Sequence, residues 1–483
     1  MKKENKKAFF RFITIIIIIL FIATLILSSC QKTTSLKSTS YKVSQLEFKA
    51  SPSLNLKSNT NNIPQINNID NINNTDKILI LAPHPDDETI GAAGIIQKAL
   101  KAGAEVNIVC LTNGDSERNA DIHYKNIPYS QNVFLLLGEL RRKETINALI
   151  KLGLKEKDVK FLGYPDAGTL RILLNHWDSS NPYKNYFTKV SYVPYSECYL
   201  PGSKYIGENI LNNLENIIKN FNPTKIFVSS PFDMHSDHRA FYLFLKIALW
   251  DLRGKINNPK IYTYFTHYKN WPDPKGYYPE KFINPPIQNI NNNIKWLNLN
   301  LNDEEVKKKY ESIICYKSQL KFGSLLISFA RKNELFAYLN DINLKNNDIN
   351  ININQNRIIW DAANYNDLYY SLNNNILYTK IITKQKIDKN FNISIYFLGY
   401  NNKIEFSKMP KIQLKIDKEK LKIFNKNQEI YDHDVNLKIE NNNLIIGIPL
   451  SLLQNPQYIL NGIETQSNYL PNSLFGWRVI NIN

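Results

Sequence analysis

The stretch Lys77-Ile78-Leu79-Ile80-Leu81-Ala82-Pro83-His84-Pro85-Asp86-Asp87-Glu88-Thr89-Ile90-Gly91-Ala92-Ala93-Gly94-Ile95-Ile96 decides how this chain reads. An unbroken apolar run of strand length stops at one histidine and three carboxylates, and an apolar stripe at helical spacing follows. The spacing therefore predicts strand, loop and helix in turn. In α/β sheets, sites gather at the carboxyl ends of strands. Pro83 and Pro85 stiffen the loop and keep helix out of it. His84 and Asp87 stand three apart, close enough to share one cation, and Asp86 between them is left over for proton transfer. Glu88 reads as an acidic residue at the positive end of the helix dipole.

A second segment repeats the pattern. Lys225-Ile226-Phe227-Val228-Ser229-Ser230 is another buried-strand run, followed by Pro231-Phe232-Asp233-Met234-His235-Ser236-Asp237-His238 and a helical stretch from Arg239 to about Trp250. The chain has seven histidines, and His84, His235 and His238 all fall in these two loops. With His84, Asp87 and His238 as ligands, the set is two imidazoles and one carboxylate with an open coordination position, the form of a catalytic zinc.

His84-Pro85-Asp86-Asp87-Glu88 paired with His235-Ser236-Asp237-His238 resembles the PIG-L/LmbE family of zinc-dependent N-acetylglucosaminyl deacetylases. The resemblance extends over about Lys77 to Tyr338 and includes Asn113-Gly114-Asp115, Arg141 three before Glu144, Gly163-Tyr164-Pro165-Asp166-Ala167-Gly168, His267 with Trp271-Pro272, Tyr316-Lys317-Ser318-Gln319 and Asn333-Glu334-Leu335-Phe336. It implies an amide hydrolase acting on N-acetylglucosamine units of a glycan or glycoconjugate. His84, Asp87 and His238 would hold Zn2+, with Fe2+ or cobalt also fitting the ligand set. Asp86 would be the general base. His235, protonated, would face the oxyanion, and Asp237 would orient His235. Arg141 and Asp166 resemble sugar-contacting positions, with an internal salt bridge as the other reading. His267 and Trp271 are placed near the site mouth, where they could meet a sugar face.

Strands at 77–82, 105–112, 158–162, 225–230 and 260–265 alternate with helices at 89–102, 138–152, 206–220 and 238–250. This predicts a Rossmann-like α/β domain over 77–345, mostly parallel, with helices on both faces. Residues 167–205 read as an insertion beside the site, 267–300 as an extended arm and Asp303 to about Leu339 as one or two helices. From about 346 to 483, short strand-like runs such as Asn392–Leu398, Ile412–Ile416 and Asn443–Ile448 predict an all-β sandwich accessory domain, with 340–356 as linker.

The N-terminus is a targeting segment. Lys2, Lys3, Lys6, Lys7 and Arg11 precede an apolar run ending in Leu27-Ser28-Ser29-Cys30. An apolar core running into small residues is a secretory signal, and a cysteine at its end resembles a bacterial lipobox with Cys30 acylated; an uncleaved anchor is the other reading. Residues 31–76, rich in Ser, Thr, Asn and Lys, read as a flexible tether. The protein is thus expected outside the cytoplasm, lipid-anchored to a bacterial membrane. The net charge is +17. It fits proximity to anionic envelope polymers, and with no nucleic-acid motif in an exported chain, nucleic acid is excluded as a partner. Cys110, Cys198 and Cys315 are an odd number without metal-ligand spacing, so no full disulfide framework is expected. Two other readings remain open: a zinc amidase on another N-acyl amine, and a surface glycan-binding lipoprotein with an inactive α/β domain.

Overall fold

The computed structural model describes residues 66–117, 130–268, 270–286, 294–320, 325–345, 348–352, 365–383, 387, 392–417, 420–467 and 470–482. The expected signal peptide of residues 1–30 and the tether up to residue 65 lie outside them. Among the described residues no helix is long and apolar enough to cross a membrane.

The opening stretch forms strand β1 (Lys77–Ala82) and helix α1 (Asp87–Ala102). Then follow β2 (Glu105–Thr112), α2 (Gln131–Leu152), β3 (Val159–Tyr164), α3 (Thr169–Asn175), α4 (Gly207–Phe221), β4 (Lys225–Ser229), α5 (Ser236–Asp251) and β5 (Lys260–Tyr264). The five strands pair in parallel in the order β3-β2-β1-β4-β5. Ile78 to Leu81 have no exposed surface, which is why their sequence is continuously apolar rather than alternating. β1 and β4 are neighbours, and the chain winds outward from them in opposite directions. With right-handed crossovers this sends α1 and α5 to opposite faces and opens a crevice where the loops after β1 and β4 part. Strand order therefore brings His84 and His238 together across 154 positions.

The sheet continues where helix and extended arm were expected. β6 (Ile294–Asn300) and β7 (Asn333–Leu339) add in the order β5-β7-β6, both pairings antiparallel, and the two-residue strand Asn67–Asn68 lies parallel to β6. Among the described residues from 303 to 339, where one or two helices were expected, α6 (Asp303–Ile313) forms as a long helix, started by the Asn302/Glu305 capping box. Leu, Ala and Glu in β7 favour helix weakly, and pairing on two sides overrides that preference. β7 also delivers Glu334, whose carboxylate accepts the N–H groups of Gly94 and Ile95 at 2.7 and 3.3 Å and the Lys309 ammonium at 2.6 Å. A side chain inserted into the helical ladder gives the kink of α1 at Ala92 its cause. The chain joins this body before residue 77: Ile69 is buried, Asp70 pairs with Lys260, and Asp76 pairs with Lys225.

The remaining strands form two antiparallel sheets. One has five strands in the order Asp348–Asn352, Tyr365–Asn373, Ile376–Thr383, Asn443–Pro449, Asn436–Glu440. The other has seven, in the order Gln428–Ile430, Lys420–Asn425, Lys411–Asp417, Asn392–Tyr400, Tyr458–Ser467, Leu470–Asn481, with Ile342–Asn343 added in parallel at the edge. Ile393, Ile395, Phe397, Ile459 and Ile480 of the larger sheet fill the core between the two. The next residues along, Leu398, Leu460, Trp477 and Val479, join the core of the α/β body instead. The larger sheet is thus covered on both faces. Pro64–Asn483 form one compact unit. At the seam Trp250 stacks on Tyr458 at 4.6 Å, the Arg253 guanidinium donates to the Tyr458 hydroxyl at 2.6 Å, and the Tyr400 hydroxyl donates to Asp251 at 2.8 Å.

Candidate metal centre

Inside the crevice three buried donor atoms face one another. His84 Nδ1 is 3.2 Å from His238 Nε2 and 3.3 Å from Asp87 Oδ2, and the latter two are 3.1 Å apart. A point about 1 Å off that triangle lies about 2.1 Å from all three corners, the bond length zinc takes with nitrogen and carboxylate oxygen. Two features fit a cation there. Two imidazole nitrogens in contact repel unless a proton or an ion lies between them. Asp87 Oδ2 also accepts the His84 backbone N–H at 3.0 Å, while Oδ1 of the same carboxylate is buried without a hydrogen-bond partner, an unmet acceptor that costs stability unless something positive meets the carboxylate.

The outer nitrogens of both imidazoles meet acceptors, which sets their tautomers. His84 Nε2 lies 3.1 Å from Asp237 Oδ2 and 3.2 Å from Asp166 Oδ1. His238 Nδ1 lies 3.3 Å from Thr266 Oγ1 and 3.5 Å from Asp233 Oδ2. With a cation in the triangle each ring would carry its proton on the outer nitrogen and turn a lone pair inward. Donor atoms of His84, Asp166, His235 and Asp237 also lie within 4.8 Å of one another, but the carboxylates there are committed. Asp237 accepts from Ala167 N and from both N–H and hydroxyl of Thr169, at 2.6, 3.0 and 2.6 Å, and Asp166 accepts from Ser116 N at 3.0 Å. The inward triangle is the better seat.

Burial opposes charge on all these groups, and their partners decide the outcome. Asp166, Asp237 and Asp87 outweigh the burial of His84 and hold its imidazole well above the ordinary value. The imidazoles of His238 and His84 likewise overcome burial and hold Asp87 well below the carboxylate range. Asp86 behaves oppositely: burial dominates and pushes its carboxyl up to about 7, although Arg141 pulls the other way. Asp86 adopts φ 118°, an uncommon conformation for a residue with a side chain, and makes no side-chain cap to α1. Strain of this kind persists where surroundings enforce it. Here Arg141 enforces it, donating to Pro85 O at 2.8 Å, Asp86 Oδ2 at 3.1 Å and Gly114 O at 2.9 Å. Glu88 adds to it by accepting from Asp86 N at 3.2 Å. Glu88 is not merely a dipole partner: burial pushes it up to about 8, and the Tyr316 hydroxyl donates to it.

Several expected roles change hands. Asp237 is 3.9 Å from His235 Nδ1 but 3.1 Å from His84 Nε2, so it orients His84, not His235. His235 Nδ1 instead accepts the Asp237 backbone N–H at 3.2 Å and caps α5. That leaves the proton on Nε2. Burial and then the neighbouring charge of His84 push the His235 ring down to about 3, against the protonated form expected there. Arg141 donates to Pro85 O, Asp86 Oδ2 and Gly114 O, which favours the internal salt bridge over sugar contact. Trp271 is buried against Phe329 and donates to Asn284 O, so it offers no face to a ligand. His267 does reach the site: its ring centroid is 4.6 Å from that of His238, and Asp233 raises its basicity against the effect of burial.

Asp233 carries a role that its place in the motif did not reveal. Its carboxylate accepts from the backbone N–H groups of His235, His267 and Thr266 at 2.9, 2.9 and 3.1 Å and backs both His238 and His267. The sequence signal was the polar pair Thr266-His267 one residue past β5, a third strand end feeding the same crevice. The cleft that results holds about 180 Å³ and is lined by His84, Asp86, Ile90, Glu117, Arg141, Asp166, His235, His267, Gln319, Leu325 and Leu326.

Residues 79–249 match the family model of PIG-L, described as GlcNAc-PI de-N-acetylase. A probable N-acetyl-alpha-D-glucosaminyl L-malate deacetylase 2 of Bacillus cereus is 28% identical over 165 residues, 34% of this chain and 56% of that protein. The Bacillus subtilis protein of the same name is 36% identical over 93 residues, 17% of this chain and 39% of that protein. The chain thus spans about half the length or less of these curated relatives. Among solved structures, the N,N'-diacetylchitobiose deacetylase of Pyrococcus horikoshii is 20% identical and matches 51% of this chain and 71% of its own, with a TM-score of 0.31.

Proposed function

We propose, on the premise that residues 79–249 are a PIG-L family domain, that this protein is a divalent-metal hydrolase. In this reading it removes the N-acetyl group from N-acetylglucosamine units of a glycan or glycoconjugate, working outside the cytoplasm from a lipid anchor at Cys30. The observation that carries the reading is the buried donor triangle of His84, Asp87 and His238, with His84 and Asp86 also lining one cleft. Relatives named for deacetylating an N-acetylglucosaminyl compound support the substrate class. The basic and apolar N-terminus ending at Cys30 supports the location.

His84, Asp87 and His238 would hold the ion, zinc by its preference for three protein ligands and an open position. Bound there, the ion supplies Lewis acidity toward the amide carbonyl and makes a water acidic enough to attack near neutral pH. Asp86 takes the proton of the attacking water. A carboxyl pushed up to about 7 can both accept a proton and return it to the departing amine nitrogen. Arg141 fixes one oxygen of Asp86 and keeps the carboxylate aimed into the cleft. Neutral His235 donates from Nε2 to the carbonyl oxygen as it gains charge, so the ring need not be protonated. Asp166, His267 and Gln319 supply the polar wall against which sugar hydroxyls are placed.

The test is mass spectrometry of N-acetylglucosamine oligomers and of unrelated N-acyl amines after incubation with the zinc-loaded protein. The expected result is loss of acetyl from the sugars alone, absent with Asp86→Ala. Release only from the other amines would make it a different amidase. Glycan binding that survives metal removal, with no turnover by the wild type, would make it a binding protein. Fatty-acid labelling lost in Cys30→Ala tests the anchor.

A further inference from the structure

The larger sheet of the sandwich reaches the loop between β4 and α5. Trp477 N–H donates to Pro231 O at 3.1 Å. Gly476 beside it stands at φ 71° and lies so close to that loop that a Cβ would fall 2.2 Å from Phe232 Cδ1 and 3.1 Å from Pro231 O. The Arg478 guanidinium sits 5.4 Å from the Phe232 ring centroid. Pro231 and Phe232 lead directly into Asp233, which backs His238 and His267. Arg239 grips the same loop from the helix side, donating to the carbonyls of Asp233 and Met234 at 2.7 Å each.

We propose that Gly476, Trp477 and Arg478 form a clamp that positions the Asp233–His238 ligand loop, so that the sandwich is a working part of the metal centre rather than a detachable accessory. The inference rests on the proposed metal site and deepens it, because these residues lie beyond the 79–249 family match. One face of the loop is held by the domain itself through Arg239. The other is held by a backbone hydrogen bond and a glycine contact that no larger residue can make without moving Phe232. Gly476, Trp477 and Arg478 are positioning residues, since they act on the site only through Pro231, Phe232 and Asp233.

The experiment uses the full chain. Gly476→Ala drives a methyl group into the Phe232 ring. Ile395→Val, in the core between the two β-sheets, serves as a control that lowers stability away from the loop. Hydrogen exchange of the 230–239 peptide is read by mass spectrometry at a temperature where both variants are folded, and zinc retention is read by competition with a chelator without substrate. Gly476→Ala is expected to speed exchange of that peptide and weaken zinc retention, each about tenfold. Ile395→Val should move neither, and Phe232→Ala added to Gly476→Ala should restore part of both by removing the clash. Equal exchange in Gly476→Ala and Ile395→Val would overturn the clamp. Faster exchange in a protein whose wild type holds no metal would leave the clamp standing and overturn the hydrolase reading.

Discussion

Replacing Asp233 by asparagine tests the wiring of the centre without touching a proposed ligand. The two side chains have nearly the same shape, so packing is preserved. Asp233 has no meaningful exposure, about 1%, and three backbone N–H groups donate to its two oxygens while His238 and His267 crowd the same atoms. Asparagine keeps one oxygen. Whichever way the amide turns, its NH2 faces at least one backbone N–H, donor against donor. The loss is at least one charge-assisted hydrogen bond, about 1.5–3 kcal/mol, plus a stranded buried donor at about 1–3 kcal/mol. A total of roughly 3–5 kcal/mol is expected in folding stability. The acceptor behind His238 Nδ1 weakens with it, so zinc should be held about 10–100-fold less tightly. Thermal unfolding of the metal-free protein reads the first effect, and chelator competition in the folded protein reads the second. Zinc affinity unchanged in Asp233→Asn would show that Asp233 does not govern the tautomer or placement of His238.

Asp86→Ala should abolish turnover while leaving zinc content near that of the wild type, and His238→Ala should lose the metal, both read by elemental analysis beside an acetate-release assay. Glu334→Gln should cost about 3–5 kcal/mol in denaturant unfolding, because it strands the Lys309 ammonium, buried at 2.6 Å from that carboxylate. Burial, followed by the charge of Asp166, pushes Asp115 from 3.8 up to about 7. The folded state therefore binds that proton more tightly, and this contribution is full below about pH 4 and is lost as pH rises through about 7. Asp115→Asn, which still offers the Tyr195 hydroxyl an acceptor, should gain stability over the wild type at pH 8 relative to pH 4, by at most on the order of 4 kcal/mol. A wild type and variant whose melting temperatures run parallel from pH 4 to 8 would contradict it.

Local sequence was enough to place the strands and loops that carry the chemistry. β1 and β4 are continuous apolar runs, and only a strand buried on both faces requires that. The polar groups that follow them, His84 to Asp87 and Asp233 to His238, stand where such strands end. Spacing along the chain does not carry whatever depends on a neighbour. Asn333–Leu339 has no strand signature of its own and becomes one because β5 and β6 offer it two open ladders. The imperfect alternation of Asn392–Tyr400 makes sense only once Ile393, Ile395 and Phe397 are seen facing one core and Leu398 and Tyr400 another. Glu88 has the spacing of a helix-end charge, and Tyr316, its hydrogen-bond partner 228 positions away, cannot be inferred from that spacing.

The sequence by itself determined which donor types are present, at which strand ends they sit, and that His84 and Asp87 can reach one cation, since these follow from chain geometry over a few residues. Tertiary structure alone decided who serves whom. That Asp237 turns to His84 and Asp233 to His238, that Arg141 is spent on Asp86, and that a strand from the far end of the chain presses on Phe232 all depend on the direction of side chains across the crevice between β1 and β4. A shift of about an ångström changes a hydrogen-bond partner, and spacing along a chain carries no information at that scale.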